Sequence, residues 1–350
     1  MDTLTKKTIT TKRGFEYTYY VSPAAAGKPT LLLHHGFPDQ AEEWEDLIVK
    51  HLKPAGYGVI APDLLGYGGT SKPTDLAAYK FRGMTADVVE IVDAEKVDKV
   101  VSLGHDWGSR AAQMFFNLHP ERVSGLVMVN LAWSGANKGP FDLDAVLAQT
   151  EQVFGYGLFW YWKLFTADDG AKVLNENSDI LFDIAHSPEV WKATFCTKDG
   201  MRNALVNRGE GFDIKRHPYA TEEAKKAFIE RFKRDGFDGP VCCELLSSTF
   251  KGRHCNLPNN SVAERYKSQA FGQQSEEANP DNQVVNVPSL FLGYEGDVVC
   301  RKESILPFVE AGALPQLTNV TLEGGHWGLL EFPKEFGESV TQWLQKSYDT

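Results

Sequence analysis

The fold is decided by residues 100–109, which read Val-Val-Ser-Leu-Gly-His-Asp-Trp-Gly-Ser. A short apolar strand leads into a small-X-Asp-X-small pattern, and a helix-like stretch from Arg110 to Leu118 follows. A turn that passes directly from a strand into a helix needs small residues on both sides of its apex, because the backbone there is strained and closely packed. The pattern predicts a nucleophile elbow with Asp106 at its apex.

The residue type at this apex decides the chemistry. A serine in this position attacks acyl carbon, whereas a carboxylate displaces a leaving group from saturated carbon and forms an alkyl-enzyme ester. Asp106 therefore indicates epoxide opening or dehalogenation rather than ester hydrolysis. For the decapeptide alone, the alternative is a strand-end aspartate that caps the next helix.

Two further residues complete a predicted catalytic triad. Asp297 follows the strand-like segment 287–294, and His326 follows the strand-like segment 319–322. Taken singly, Asp297 is typical of a turn and His326 of a loop. Together with Asp106 they occur in the order nucleophile, acid, histidine, each just past a strand, where open α/β sheets place their sites. We expect His326 to act as the general base and Asp297 to orient it.

Alternation of strand-like and helical segments predicts the fold class. Continuous apolar strands separated by helices indicate a parallel sheet covered on both faces, and the segment 8–21 indicates an antiparallel hairpin at its edge. The segment 42–53 is predicted to be a helix. The alternation stops near Ser134 and resumes at Val287. The prediction is an α/β fold with a mostly parallel eight-stranded sheet, a core domain of residues 1–134 and 276–350, and a helical cap domain of residues 135–275.

Composition limits the class of partner. Of 350 residues, 42% are hydrophobic and 24% are charged, which is typical of an ordered globular protein. The net charge of −11 disfavours nucleic acid and anionic membranes as partners. No apolar run approaches the about 18 residues of a transmembrane helix. We therefore expect a small-molecule substrate, and the sequence leaves open whether the protein forms a homodimer.

The cysteines and the first residues indicate the cellular compartment. The five cysteines are odd in number and show no C-x-x-C spacing, so neither a disulfide framework nor a zinc site is expected. The first residues lack the apolar core of a signal peptide. We expect a cytoplasmic protein with reduced thiols, no metal and no other cofactor.

Four sequence frames resemble those of a known family. They read His35-Gly36-Phe37-Pro38, Gly104-His105-Asp106-Trp107-Gly108, Gly296-Asp297-Val298-Val299 and Gly324-Gly325-His326-Trp327. The chain resembles the soluble epoxide hydrolases of the α/β-hydrolase superfamily over most of its length. Haloalkane dehalogenases share the Asp-Trp frame but usually carry asparagine where Phe37 stands, so Phe37 favours epoxides.

The resemblance implies roles for further residues. The backbone N–H groups of Phe37 and Trp107 would form the oxyanion hole, and the peptide before Pro38 is often cis in this family. Tyr161 matches the first cap tyrosine of the family, which donates a hydrogen bond and then a proton to the epoxide oxygen. The alternative for Tyr161 is aromatic packing within the cap. His105, next to the nucleophile, is interpreted as a buried packing residue.

The chain departs from the family pattern at the second cap tyrosine. Residues 237–245 read Phe-Asp-Gly-Pro-Val-Cys-Cys-Glu-Leu and place Glu244 where the family carries tyrosine. Glu244 is either a second acid with a raised pKa or a charged cap residue that faces solvent or an arginine. A shift to a specialised substrate is one consequence of this departure.

Arg110 is the second unusual residue, because this helix position is commonly apolar in epoxide hydrolases. One helical turn places it near the predicted pocket floor. Fluoroacetate dehalogenase-like enzymes carry a substrate-binding arginine at the same offset, whereas the alternative is a structural arginine paired with a carboxylate behind the site.

The leading interpretation of the whole sequence is hydrolysis of an epoxide to a vicinal diol. The alternatives are a haloalkane or 2-haloacid dehalogenase, and a family member that acts on a natural-product intermediate with an altered cap acid.

Overall fold

The computed structural model describes residues 1–73, 75–135, 142–237 and 278–349. Glu244 lies outside these residues. The described chain forms two compact units. The first comprises the described residues of Met1–Ser71, Phe81–Ala136 and Glu277–Thr350, and the second comprises those of Lys72–Lys80 and Asn137–Glu276. The segment Lys72–Lys80, which was predicted to lie in the core domain, thus belongs to the second unit.

The first unit is built on an eight-stranded sheet with the strand order β1-β2-β4-β3-β5-β6-β7-β8. The strands are β1 (Thr5–Thr10), β2 (Glu16–Ser22), β3 (Thr30–His34), β4 (Gly58–Pro62), β5 (Val100–His105), β6 (Val123–Val129), β7 (Ser289–Tyr294) and β8 (Leu317–Leu322). Strand β2 pairs antiparallel with β1 and β4, and all other neighbouring strands are parallel. The predicted mostly parallel sheet of eight strands is confirmed.

Burial along the strands follows their place in the sheet. Every residue of β4, β5 and β7 is buried, as expected for parallel strands with helices on both faces. Strand β1 has no buried residue and carries three threonines and two lysines, which suits an edge strand that must not pair with other chains. The parallel strands therefore bring their carboxyl ends, and the loops that follow them, to one edge of the sheet.

The helices are, in chain order, α1 (Glu45–Leu47), α2 (Phe81–Ala94), α3 (Trp107–Leu118), α4 (Leu143–Phe154), α5 (Trp162–Phe165), α6 (Gly170–Glu176), α7 (Ser178–Ala185), α8 (Trp191–Phe195), α9 (Gly200–Val206), α10 (Glu222–Asp235), α11 (Leu306–Glu310), α12 (Gly328–Glu331) and α13 (Pro333–Tyr348). The predicted helix over 42–53 is divided into a 3₁₀ turn at Ala41–Trp44, the short α1, and a π-helical turn at Ile48–Leu52. The 3₁₀ turn buries Ala41, Glu43 and Trp44.

The second unit contains helices α4 to α10 and, among its described residues, no strand. Local signals explain the ends of the longer helices. The Asp142 side chain caps α4 by accepting hydrogen bonds from the first-turn N–H groups, and Thr221 caps α10 in the same way. Gly155 ends α4 with a left-handed φ of 78°. In the described part of the chain, no helix combines the length and apolarity needed to cross a bilayer.

Candidate active site

Asp106 lies at the apex of the turn between β5 and α3. Its φ of 52° and ψ of −125° are unusual for a residue with a side chain, and such backbone strain costs of order 1–3 kcal/mol. A Cβ at Gly104 would overlap the carbonyl oxygen of Gly108, and a Cβ at Gly108 would overlap that of His34. The two glycines are therefore sterically required, and the surrounding backbone holds Asp106 in its strained conformation.

The Asp106 carboxylate is held from two sides. The backbone N–H of Phe37 donates a hydrogen bond of 3.0 Å to Oδ1, and His326 Nε2 lies 3.4 Å from Oδ2. The Phe37-Pro38 peptide is cis. A Cβ at Gly36 would come within 2.6 Å of Asp106 Cβ, so this loop approaches closely only because it carries glycine. Trp107, the second expected oxyanion donor, follows as the first residue of α3.

Asp297 fixes the orientation of His326. Its Oδ2 accepts a hydrogen bond of 2.8 Å from His326 Nδ1, which turns Nε2 towards Asp106. Burial alone would raise the pKa of Asp297, but the His326 charge and hydrogen bond, with support from neighbouring donors, lower it to about 2. The nitrogen that faces this ionised carboxylate carries the proton. The carboxylates of Asp297 and Asp106 also outweigh burial at His326 and raise its pKa well above the usual range.

Asn130 supports this pair and was not identified from the sequence. It follows β6 directly, with a φ of 65°. Its side-chain amide donates to Asp297 Oδ2 at 2.6 Å and to the backbone carbonyl of His326 at 3.1 Å. The only sequence signal was its position just past a parallel strand, which it shares with Asp106 and Asp297.

A second buried pair lies against the backbone of His326. The side chains of Glu43 and His105 are completely buried and bonded through Glu43 Oε1 and His105 Nδ1. His105 Nε2 donates to the His326 carbonyl at 2.9 Å, so the interpretation of His105 as mere packing was incomplete. Burial raises the pKa of Glu43 to about 7, despite the opposing effect of His105. Glu43 was not selected from the sequence, because it lies inside the predicted helix over 42–53 and in none of the four sequence frames.

Arg110 is buried on α3, and among the described residues it has no acidic partner. Its Nη1 donates to Ser134 Oγ at 2.6 Å and to the Gly135 carbonyl at 3.2 Å, and the guanidinium lies 6.0 Å from the Phe81 ring centroid. Within the described ranges no carboxylate forms an ion pair with it. Burial lowers its pKa to about 10, so the group remains charged at neutral pH. The alternative of a structural arginine paired with a carboxylate is not supported by the described residues.

The predicted cap acids lie in different parts of the chain. Tyr161 belongs to the second unit, is buried, and immediately precedes α5. Its ring packs edge-to-face against Phe165 and Phe195, with centroid distances of 5.2 Å in both cases. The expected aromatic packing is therefore present, and the role of Tyr161 as an acid stays a prediction. Glu244 is outside the described residues, and its role stays a prediction as well.

Cys300 is a further side chain at the site that was not predicted from the sequence. Its thiol, a carboxylate oxygen of Asp106 and an imidazole nitrogen of His326 lie within 4.8 Å of one another. Among the described residues, this is the one group of three side chains with the spacing to hold a metal ion. Burial raises the pKa of the thiol to about 12.

Comparison with known proteins identifies the family. Residues 29–333 match the model of the alpha/beta hydrolase fold family, and the chain belongs to that family. Epoxide hydrolase B of Mycobacterium tuberculosis is 33% identical over 361 aligned positions, which cover 92% of this chain and 93% of the relative. Bifunctional epoxide hydrolase 2 of Rattus norvegicus is 25% identical over 333 positions, which cover 91% of this chain. The chain spans 52% of the length of the rat protein.

Solved structures show the same fold. A mutant of an epoxide hydrolase from Vigna radiata superposes with a TM-score of 0.77 at 19% identity, covering 99% of this chain and 100% of that one. Epoxide hydrolase A from Mycobacterium thermoresistibile superposes with a TM-score of 0.73 at 21% identity, covering 98% of each chain. The α/β-hydrolase fold expected from the sequence is confirmed.

Proposed function

We propose that this chain hydrolyses epoxides to vicinal diols through an alkyl-enzyme ester on Asp106. The observation that carries the proposal is an aspartate at the apex of the elbow, with a backbone donor on one oxygen and His326 facing the other. The 33% identity with an epoxide hydrolase over nearly the full length of both chains supports the same activity.

In the first half-reaction, the Asp106 carboxylate attacks one epoxide carbon. The bond from that carbon to the epoxide oxygen breaks, and the oxygen takes a proton from Tyr161, assisted by Glu244 if its carboxyl group is protonated. Without a proton donor an alkoxide would form at high cost. The N–H of Phe37 holds the carboxylate in position for attack.

In the second half-reaction, His326 takes a proton from water, and the water oxygen attacks the ester carbonyl carbon. The Phe37 and Trp107 N–H groups stabilise the resulting oxyanion. Its collapse breaks the bond from the carbonyl carbon to the diol oxygen, which takes the proton of the new carboxyl group, so Asp106 returns as a carboxylate. The proton on His326 then returns through solvent to the Tyr161 phenolate. Asp297 stabilises the imidazolium through the 2.8 Å bond to Nδ1. Esterification removes the negative charge of Asp106, one of the two carboxylates that raise the pKa of His326, and this favours the neutral base.

A substrate panel tests the proposed reaction against its alternatives. The purified chain is incubated with epoxides, haloalkanes and 2-haloacids, and diol and halide are assayed. Diol release from epoxides is expected. Halide release without diol would assign the chain to the dehalogenases, and neither product would favour a specialised member of the family.

The hydroxyl of Tyr161 is expected to contribute a large part of the ring-opening rate. Tyr161→Phe keeps the ring that packs against Phe165 and Phe195, so folding should persist. We expect a loss of roughly a hundredfold in single-turnover ring opening, the usual contribution of a general acid. Tyr156→Phe, in the same unit, is the matched control and should retain the rate. A loss under about tenfold at Tyr161 would leave it with a packing role only.

We further propose that Arg110 binds an anionic group of the substrate. A buried charge without a counter-charge is costly. Since no described carboxylate pairs with Arg110, a substrate carboxylate would supply that partner. For a carboxylate-bearing epoxide, Arg110→Met is expected to raise KM about tenfold or more, because hydrogen bonds to charged groups contribute about 1.5–3 kcal/mol. A neutral epoxide of similar size is the control and should show an unchanged KM. Equal effects on both substrates would make Arg110 a structural residue.

The remaining expectations rest on composition and pattern. We propose that residues 135–275 form a cap domain and residues 1–134 and 276–350 the core domain. We also propose that the enzyme works in the cytoplasm on a small molecule without a cofactor or nucleic acid. The acidic balance of 47 acidic against 36 basic residues supports the exclusion of nucleic acid. A homodimer stays an open expectation, which sedimentation analysis would test.

A further inference from the structure

Cys300 has no task in the proposed hydrolysis, although it lies beside the two residues that perform it. It is buried three positions after Asp297, and its backbone N–H donates to Asp297 Oδ1 at 2.8 Å. Its side chain is directed to the same place as Asp106 and His326, since the three ligand-type atoms lie within 4.8 Å of one another. Thiolate, imidazole and carboxylate are the three ligand types that zinc takes in proteins.

The distance between Asp106 and His326 suits a bridging cation. Their Oδ2 and Nε2 atoms are 3.4 Å apart, the long end of a hydrogen bond, and this contact helps to raise the pKa of His326. Oxygen and nitrogen ligands of a tetrahedral zinc, each about 2.0–2.2 Å from the metal, are themselves separated by about 3.4 Å. Sulfur and nitrogen ligands of the same tetrahedral zinc are about 3.6 Å apart, so the three atoms, which lie within 4.8 Å of one another, need to approach by about 1 Å to reach this geometry.

The surroundings of His326 also suit a metal ligand. Histidines that bind metals almost always donate their other ring N–H to a carboxylate or a carbonyl, which fixes the ring and increases its basicity. Asp297 already accepts this hydrogen bond from Nδ1 at 2.8 Å. Asn130 in turn donates to Asp297 Oδ2 at 2.6 Å. The nitrogen that remains directed towards Asp106 is therefore held in place before any cation arrives.

We propose that Asp106, His326 and Cys300 form a binding site for one thiophilic divalent cation of the Zn²⁺ type, and that its binding reversibly inhibits the enzyme. The thiol proton, and the Nε2 proton where present, leave to solvent as the ligands bind, and water takes the fourth position. The cation would occupy both the nucleophile and the base. Mg²⁺ and Ca²⁺ are not expected to compete, because they prefer oxygen ligands only.

Cobalt provides a test that is independent of catalysis. The full chain, freed of metal with a chelator, is titrated with Co²⁺, which reports a bound thiolate by a charge-transfer absorption band. We expect a band that saturates at one ion per chain and is removed by Zn²⁺ or by the chelator. Absence of this band in the wild-type chain would overturn the proposal.

Matched variants assign the ligands. Cys300→Ser and Cys300→Ala should lose the band, whereas Cys196→Ser, at the other described buried cysteine that is not in a disulfide, should keep it. His326→Gln should weaken Co²⁺ binding by at least tenfold, since loss of a supporting partner alone costs about 10–100-fold in affinity. Circular dichroism confirms folding of each variant. A band that persists in both folded Cys300 variants would place the thiolate on another cysteine and refute the site.

Inhibition is measured on whichever substrate the panel identifies. Zn²⁺ should inhibit the wild-type chain, an equal concentration of Mg²⁺ should not, and the inhibition constant should rise at least tenfold in Cys300→Ser. An unchanged inhibition constant in Cys300→Ser would contradict the assignment. The cobalt band does not require turnover. Failure of the proposed hydrolysis, seen in the substrate panel, is therefore distinguished from failure of the metal site, seen in the cobalt titration.

Discussion

Replacement of Asp106 by alanine is expected to abolish turnover while the chain remains folded. The residue is the proposed covalent nucleophile, and loss of a nucleophile in comparable hydrolases lowers kcat by about 10⁶-fold. The side chain makes its main contacts within the site, to Phe37 N–H and His326, so its removal leaves the sheet and α3 intact. Steady-state assays with the active substrate, together with thermal unfolding, measure the two effects separately.

A surface aspartate provides the control for this experiment. Asp46→Ala removes an exposed carboxylate that pairs with Lys50 one helical turn away, and it should change neither turnover nor folding measurably. Retention of more than about a tenth of the wild-type rate in Asp106→Ala would rule out the covalent route through this residue.

The second large effect is expected at His326. His326→Gln should still form the alkyl ester but should fail to hydrolyse it, because the ring that activates water acts only in the second half-reaction. The protein mass after brief mixing should increase by the mass of one substrate molecule, and steady-state turnover should fall by at least about a thousandfold. Intact-protein mass spectrometry shows the adduct directly.

Two comparisons secure the interpretation of this variant. His119→Gln, which alters a partly buried histidine bonded to Thr85 instead, should turn over normally and show no adduct. In single-turnover experiments with labelled water, wild-type product should take its first oxygen from Asp106. An inactive His326→Gln without adduct, combined with solvent label in the first product, would show that water attacks the epoxide directly.

Local sequence pattern was sufficient to predict the elbow and the order of the triad candidates. The glycines at 104 and 108 are required because a Cβ at either position would overlap backbone atoms. A steric requirement of this kind appears in the sequence as the glycine itself. The same holds for the parallel strands, whose continuous apolar character reflects burial on both faces. The positions of Asp297 and His326 were predictable because each follows a strand-like segment, although β8, before His326, has no buried residue.

Several features of the site had no local signal. Glu43 and His105 are 62 residues apart, and Asn130 and Asp297 are 167 apart, yet both pairs are bonded in the interior. The prediction of one continuous helix over 42–53 was wrong, because the segment begins with a 3₁₀ turn that buries Glu43. Charged residues are normally expected on the solvated surface, and only the tertiary packing shows that Glu43 is buried.

The sequence by itself determined the fold class, the elbow and the type of nucleophile, because these depend on residue size and polarity at neighbouring positions. Tertiary structure alone decided the hydrogen bonds that hold His326, the lack of a carboxylate beside Arg110 within the described residues, and the approach of Cys300 to Asp106. These depend on distances between segments that are remote in the chain. Such distances are set when the whole core packs, and no local periodicity records them.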